Sequence, residues 1–232
     1  MNDASGTTIG KRLEAVRARL SRAEERAGRA PGSVRLVAVS KRHPPEAIRA
    51  AYAEGQRDFG ENYPQELHEK AGALADLTDL RWHFVGHLQS NKVRLVMPFL
   101  SLLHTVDSAH AVSELSRRAT LEQRRLAVLV QVNIGGEPQK SGCEPQDLEE
   151  VLAAVEGSPA LLLRGLMTLP PPAEGESDQR RPLAALRTLA KLHGGQARLP
   201  ELSMGMSDDL EAAVIEGATI VRVGTAIFGE RA

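Results

Sequence analysis

The chain has 232 residues, enough for one large domain or two small ones, and 42% hydrophobic with 25% charged residues is an ordinary globular balance. The net charge of -1 excludes a global field that would select nucleic acid or an anionic membrane. Cys143 is the only cysteine, which excludes an intramolecular disulfide and fits a reducing compartment.

The N-terminal MNDASGTT lacks the basic start and apolar core of a secretory signal. No apolar run reaches the length of a membrane span. A cytoplasmic protein with no membrane partner is expected. The first periodic element is a helix. Ile9, Leu13, Val16, Leu20, Ala23 and Ala27 form one stripe, and Gly28 and Pro31 end it. This helix carries Lys11, Arg12, Arg17, Arg19, Arg22, Arg26 and Arg29 against Glu14, Glu24 and Glu25. No aromatic residues interleave to stack on bases, so a solvated face is expected rather than a nucleic-acid site.

Strand-like apolar runs then follow at residues 34–39, 57–59, 82–85, 102–106, 127–132, 161–167, 201–204 and 219–223. Helical patterns separate them at 44–55, 64–75, 91–99, 109–118, 145–155, 181–192 and 208–216. The run 126–132 is apolar except for Gln131, and the run 161–163 is continuously apolar, as strands covered on both faces should be. Eight such runs alternating with helices predict an α/β fold, a single (β/α)8 TIM barrel with an extra N-terminal helix. A doubly wound open sheet uses the same alternation and is the rival. The second and seventh runs are the least apolar. Two polar loops, 135–145 and 170–182, are too short to be domain linkers, so residues 1–232 are read as one domain.

In a barrel, functional residues sit where strands end. Lys41 follows the buried run 36–39. Desolvation there favours a neutral amine, which can condense with an aldehyde. A lysine that merely snorkels out of a strand end is the plainer alternative. After the seventh run, Gly205 permits close backbone approach and Ser207 stands where a helix begins. After the eighth, Gly224 and Thr225 offer backbone N–H groups and a hydroxyl. Together they suggest a phosphate site, with Asp208 and Asp209 pointing outward. The alternative makes Ser207 an N-cap and Gly224 a turn. His83 and His87 lack further ligands at metal-binding spacing. Residues 136–141 (GEPQKS) lack the glycine a phosphate loop needs before its lysine. Glu61 has no second carboxylate beside it in sequence, and Cys143 is given no role.

The motifs at 37–41 (VAVSK), 59–63 (FGENY), 83–92 (HFVGHLQSNK), 131–134 (QVNI), 140–142 (KSG), 165–168 (GLMT), 202–209 (LSMGMSDD) and 221–229 (VRVGTAIFG) resemble the pyridoxal-phosphate homeostasis protein family. They span nearly the whole chain. The resemblance implies a barrel similar to the N-terminal domain of bacterial alanine racemase. It implies pyridoxal 5'-phosphate held as a Schiff base on Lys41, with Asn62 beside the ring. Met206, Ser207, Gly224 and Thr225 would hold the phosphate, Arg222 would reach the pyridine nitrogen, and Ser203 and Met204 would line the pocket. Pairing of Arg222 with Asp208 or Asp209 is the alternative. The implied role is vitamin B6 homeostasis without turnover, with pyridoxal-phosphate-dependent apo-enzymes as possible acceptors. A racemase-like enzyme is the competing function. Alanine racemases add a β-domain that supplies a catalytic tyrosine across a dimer, and this chain ends shortly after the eighth strand. Its tyrosines are Tyr52 and Tyr63. A non-catalytic monomer is therefore expected.

Overall fold

The computed structural model describes residues 8–137 and 141–230. Lys140, in the KSG motif, and the first seven residues lie outside the described set. The chain opens with helix α1 (Ile9–Arg26), followed by β1 (Arg35–Val39), α2 (Pro45–Ala53), β2 (Asp58–Glu61), α3 (Pro64–Ala73) and β3 (Arg81–Phe84). A 3-10 turn leads to α4 (Val93–Val96), then β4 (Leu100–Val106), α5 (Ala109–Leu121), β5 (Leu126–Gln131), α6 (Leu148–Glu156) and β6 (Leu161–Met167). The last third holds α7 (Glu176–Leu192), α8 (Gly195–Arg198), β7 (Glu201–Ser203), α9 (Leu210–Ile215), β8 (Ile220–Val223) and α10 (Thr225–Phe228).

The eight strands are parallel and hydrogen-bond in sequence order, and β8 closes on β1 through Arg35–Ile220 to Ala38–Val223. Closure decides against the open sheet. Strands β1 to β7 are each followed by helix before the next parallel strand, as a parallel barrel requires. Most of the core lies between strands and helices, where Leu13, Ile48, Phe59, Leu67, Phe84 and Leu148 are completely covered. A second, smaller cluster fills the barrel itself: Val37, Leu102, Leu129, Met167 and Ile220. Among the described residues, no helix is long and apolar enough to cross a membrane.

Several boundaries differ from the sequence reading. Strand β2 runs on through Gly60 and Glu61, so Glu61 is a strand residue with a fully buried side chain. Strand β6 is not covered on both faces at its start, where Leu162 is 37% exposed at the barrel rim. The loop expected at 170–182 is shorter, because α7 begins at Glu176 and carries Pro182 inside it. Gly175, with φ 84°, turns the chain into this helix, and Glu176 and Asp178 favour its N-terminus. Pro182 removes only one backbone hydrogen bond there.

The basic face of α1 is also not simply solvated. Arg19 holds Glu211 with two bonds of 2.8 Å and donates to the Ser207 carbonyl at 2.9 Å. Arg29, just beyond the end of α1, donates to the Val214 and Ala218 carbonyls. Arg17 reaches the Glu54 carbonyl at 2.7 Å. These bonds strap the extra helix across the end of the barrel sequence. Cys143, in the loop after β5, is buried. Its N–H donates to the Gln131 carbonyl and its carbonyl accepts from Asn133 N–H, each at 2.9 Å.

Candidate cofactor site

The C-terminal ends of β1, β2, β3 and β8 and the loop after β7 surround a cavity of about 360 Å3. That volume suits a small organic ligand. Seven of the nine residues singled out from the sequence line it: Lys41, Asn62, Met206, Ser207, Arg222, Gly224 and Thr225. Ser203 and Met204 stand behind the wall. Ser203 is completely buried against Arg222, and Met204 packs in the apolar core. Val39, His43, Val85, Leu169 and Asp208 also line the cavity. His43 stacks on Phe228 at a centroid distance of 5.1 Å.

Lys41 sits between two clamped neighbours. The Ser40 carbonyl accepts from Lys70 Nζ at 2.8 Å, and its hydroxyl donates to Glu61 Oε1 at 2.7 Å. Lys70 also bonds Glu61 at 2.7 Å and Glu66 at 2.9 Å. Glu66 in turn accepts the Arg42 N–H at 2.8 Å. Arg42 adopts a φ of 62°, uncommon for a residue with a side chain, and this bond helps hold it there. Burial raises the Glu61 carboxyl above its usual range, with Lys70 and Ser40 opposing. The sequence showed Glu61 without a partner because its partner is a cation on the next helix. The i, i+4 spacing of Glu66 and Lys70 was the available signal.

The loop after β7 is tightly formed. Gly205 has φ 94°, and a Cβ there would fall 2.4 Å from the Ala213 methyl. Asp209 does not point outward. It is buried and accepts the Met206 N–H at 2.6 Å. The N–H of Met206 is thereby engaged within the loop. Asp208 borders the cavity but is exposed, and its charge acts on Arg19 of α1. Helix α9 starts only at Leu210, later than the sequence suggested, because this turn precedes it.

Across the cavity, Gly86 lets the end of β3 approach Asn62. A Cβ at Gly86 would lie 2.2 Å from the Asn62 carbonyl. Asn62 Oδ1 is buried and lacks a hydrogen-bond partner among the described residues. Arg222 donates from Nη1 to Ser203 Oγ at 2.6 Å and from Nη2 to the Thr168 carbonyl at 3.0 Å. Burial lowers its pKa to about 10, still well above neutral pH. Its hydrogen bonds thus go to Ser203 and Thr168 rather than to Asp208 or Asp209.

These groups fit pyridoxal phosphate. An orphaned acceptor on Asn62 matches a ring hydroxyl, and a guanidinium with further N–H groups matches a pyridine lone pair. The hydroxyls of Ser207 and Thr225 match phosphate oxygens, and Lys41 supplies an amine.

Comparison with known proteins agrees with this chemistry. The family model for the alanine racemase N-terminal domain matches residues 12–232. The pyridoxal phosphate homeostasis protein of Pseudomonas aeruginosa is 48% identical over 225 residues, covering 97% of this chain and 96% of the relative. The chain belongs to the pyridoxal phosphate homeostasis protein family. The Escherichia coli K12 member of that family is 45% identical over 237 residues, covering 100% of this chain and 98% of its own. PipY of Synechococcus elongatus, solved with pyridoxal phosphate bound, superposes with a TM-score of 0.84 at 40% identity, covering 96% of this chain and all of PipY. Alanine racemase of Corynebacterium glutamicum superposes at 0.66 with 19% identity, covering 93% of this chain and 60% of the racemase. That match shows the shared barrel.

Proposed function

We propose that this chain binds pyridoxal 5'-phosphate as a Schiff base on Lys41 and serves intracellular vitamin B6 homeostasis as a carrier without turnover of its own. The observation that carries the reading is the convergence of Lys41, Arg222, Asn62, Ser207 and Thr225 on one cavity. Relatives named for pyridoxal phosphate homeostasis, and the cofactor bound in PipY, support it. Residues 1–232 act in this reading as one monomeric binding domain in the cytoplasm. Pyridoxal-phosphate-dependent apo-enzymes are the acceptors, and neither nucleic acid nor membrane takes part.

Bound pyridoxal phosphate supplies an aldehyde and an electron-withdrawing ring. The protein's own groups restrict that chemistry. Arg222 is cationic and only donates hydrogen bonds, so it opposes a proton on the ring nitrogen. The clamps on Ser40 and Arg42 fix the backbone on either side of Lys41. A racemase-like reading needs an acid or base on each face of the substrate. His43 and Asp208, which also line the cavity, are the titratable groups from which a second acid or base would have to come.

Borohydride reduction of the loaded protein followed by peptide mapping tests the reading. The cofactor should be fixed on the Lys41 peptide, and Lys41→Ala should retain none. Covalent trapping elsewhere would overturn the site. Racemisation of L- or D-alanine well above that of free cofactor, lost in Lys41→Ala and in His43→Ala or Asp208→Asn, would establish the enzyme instead.

A further inference from the structure

A line of polar side chains crosses the barrel interior. Asp58 on β2, His83 on β3, His104 on β4, Ser203 on β7 and Arg222 on β8 are all buried. Their contacts are consecutive. His83 Nε2 lies 3.0 Å from Asp58 Oδ1, and His83 Nδ1 lies 2.9 Å from His104 Nε2. His104 Nδ1 lies 2.8 Å from Ser203 Oγ, which accepts from Arg222 Nη1 at 2.6 Å. Asp58 and His83 also line an opening of about 420 Å3, where Arg81 caps Asp58 with bonds of 2.8 and 2.6 Å.

The two ends fix every proton between them. A guanidinium only donates and a carboxylate only accepts. Burial opposes the charge on Asp58, but Arg81 and His83 outweigh it and keep the carboxyl below its usual range. Burial holds both imidazoles neutral, so each ring carries one N–H. Asp58 requires that of His83 on Nε2, leaving Nδ1 to accept. His104 must then donate from Nε2, leaving its Nδ1 to accept. Ser203 must give its proton to His104, so only lone pairs face Arg222. One arrangement satisfies all four contacts, and every bond in it is polarised in the same direction.

We propose that Asp58, His83, His104 and Ser203 are positioning residues for Arg222: a one-way relay that fixes the guanidinium in one orientation at the cofactor cavity. The relay rests on the function proposed above only in what Arg222 faces. Its proton order belongs to the protein alone. With a hydroxyl whose proton always points away, Ser203 presents an acceptor to Arg222 at all times. The Thr168 carbonyl supplies the second anchor, and together they set the guanidinium plane. The charge of the guanidinium is favoured by the buried Asp209 carboxylate, while the relay of neutral groups sets its orientation.

Nitrogen NMR of the full-length, cofactor-free protein tests this. At pH 7, His83 and His104 should both be neutral with the proton on Nε2, and the Arg222 Nη groups should give resolved, slowly rotating signals. Asp58→Asn keeps the shape of the side chain and removes its charge. It should shift the His104 ring signals and broaden those of Arg222, although residue 58 touches neither. A proton on Nδ1 of either histidine, or unchanged His104 and Arg222 signals in folded Asp58→Asn, would overturn the relay. Should that variant not fold, His83→Gln is read for the Arg222 signals, which His83 does not contact directly, and unchanged Arg222 signals would again overturn the relay. In the loaded protein, Ser203→Ala should move the ring-nitrogen signal of labelled pyridoxal phosphate and weaken retention roughly tenfold. An unchanged ring nitrogen would overturn the relay's link to the cofactor. Wild type that does not bind pyridoxal phosphate would overturn the site reading, while the cofactor-free signals would still decide the relay.

Discussion

Lys70 illustrates how much one residue holds in this site. Its ammonium bonds the Ser40 carbonyl and two carboxylates, and its side chain is 7% exposed. Removing one partner of a buried pair is costly because the other remains charged and desolvated. Lys70→Met should therefore destabilise the protein by about 3 kcal/mol at pH 7. The deficit should shrink toward pH 5, because Glu61, already raised by burial, escapes by taking a proton. Urea melts of both proteins at the two pH values check this. A loss below about 1 kcal/mol, constant with pH, would mean that the pair is solvated.

At the scale of an element, the β7–α9 loop depends on a helix distant in sequence. Arg19 on α1 grips Ser207 and Glu211, so α1 braces the proposed phosphate cup. Arg19→Ala should weaken pyridoxal phosphate retention several-fold while leaving the barrel folded. Ser207→Ala and Thr225→Val should each weaken it by roughly 10- to 150-fold, since each removes a hydrogen bond to a charged group. Equilibrium dialysis ranks the three. An effect of Arg19→Ala equal to that of Ser207→Ala would assign Arg19 a direct contact instead. The sequence revealed the basic residues of α1 but not their partners, because helix periodicity does not say which barrel loop a helix crosses. Strand ends, which collect small and polar residues on one rim, pointed to Lys41, Ser207 and Thr225, and the motif resemblance added Asn62; all four line the cavity.

For the molecule as a whole, the pH dependence of stability should bear the mark of the barrel interior. Burial lowers the pKa of His83 and His104, the latter well below its usual value. The unfolded chain binds protons at both near pH 6.5 while the native one does not, so stability falls as pH drops below that value. Each group contributes at most about 1.4 kcal/mol per pH unit, and the two together at most about 2.7. Their stabilisation is complete above pH 6.5 and is lost as pH falls toward their native pKa values. Denaturant melts between pH 7 and pH 5 should show the slope, and His104→Gln should roughly halve it. A flat profile would mean the rings are charged in the native state. The same interior explains which strands were hard to read. Strand β5 is nearly all apolar and stands out, whereas β2 turns Asp58 toward the barrel axis and loses the apolar signature. Local pattern shows alternation along one strand, but not that Asp58, His83, His104 and Ser203 meet across four strands.

The single buried thiol gives the molecule an internal clock. Burial pushes Cys143 up to about 12, and the backbone on either side is bonded to the end of β5. Disulfide reagents attack the thiolate, whose equilibrium fraction at pH 8 falls roughly a thousandfold or more when a thiol moves from about 8.5 to about 12. Labelling of the closed native protein should therefore be much slower than that of a free thiol. It should accelerate only through excursions that free the segment from β5. With no second thiol in the chain, the modification rate times one defined opening event without any introduced probe. Labelling at the speed of a free thiol would show that this segment detaches readily from the barrel.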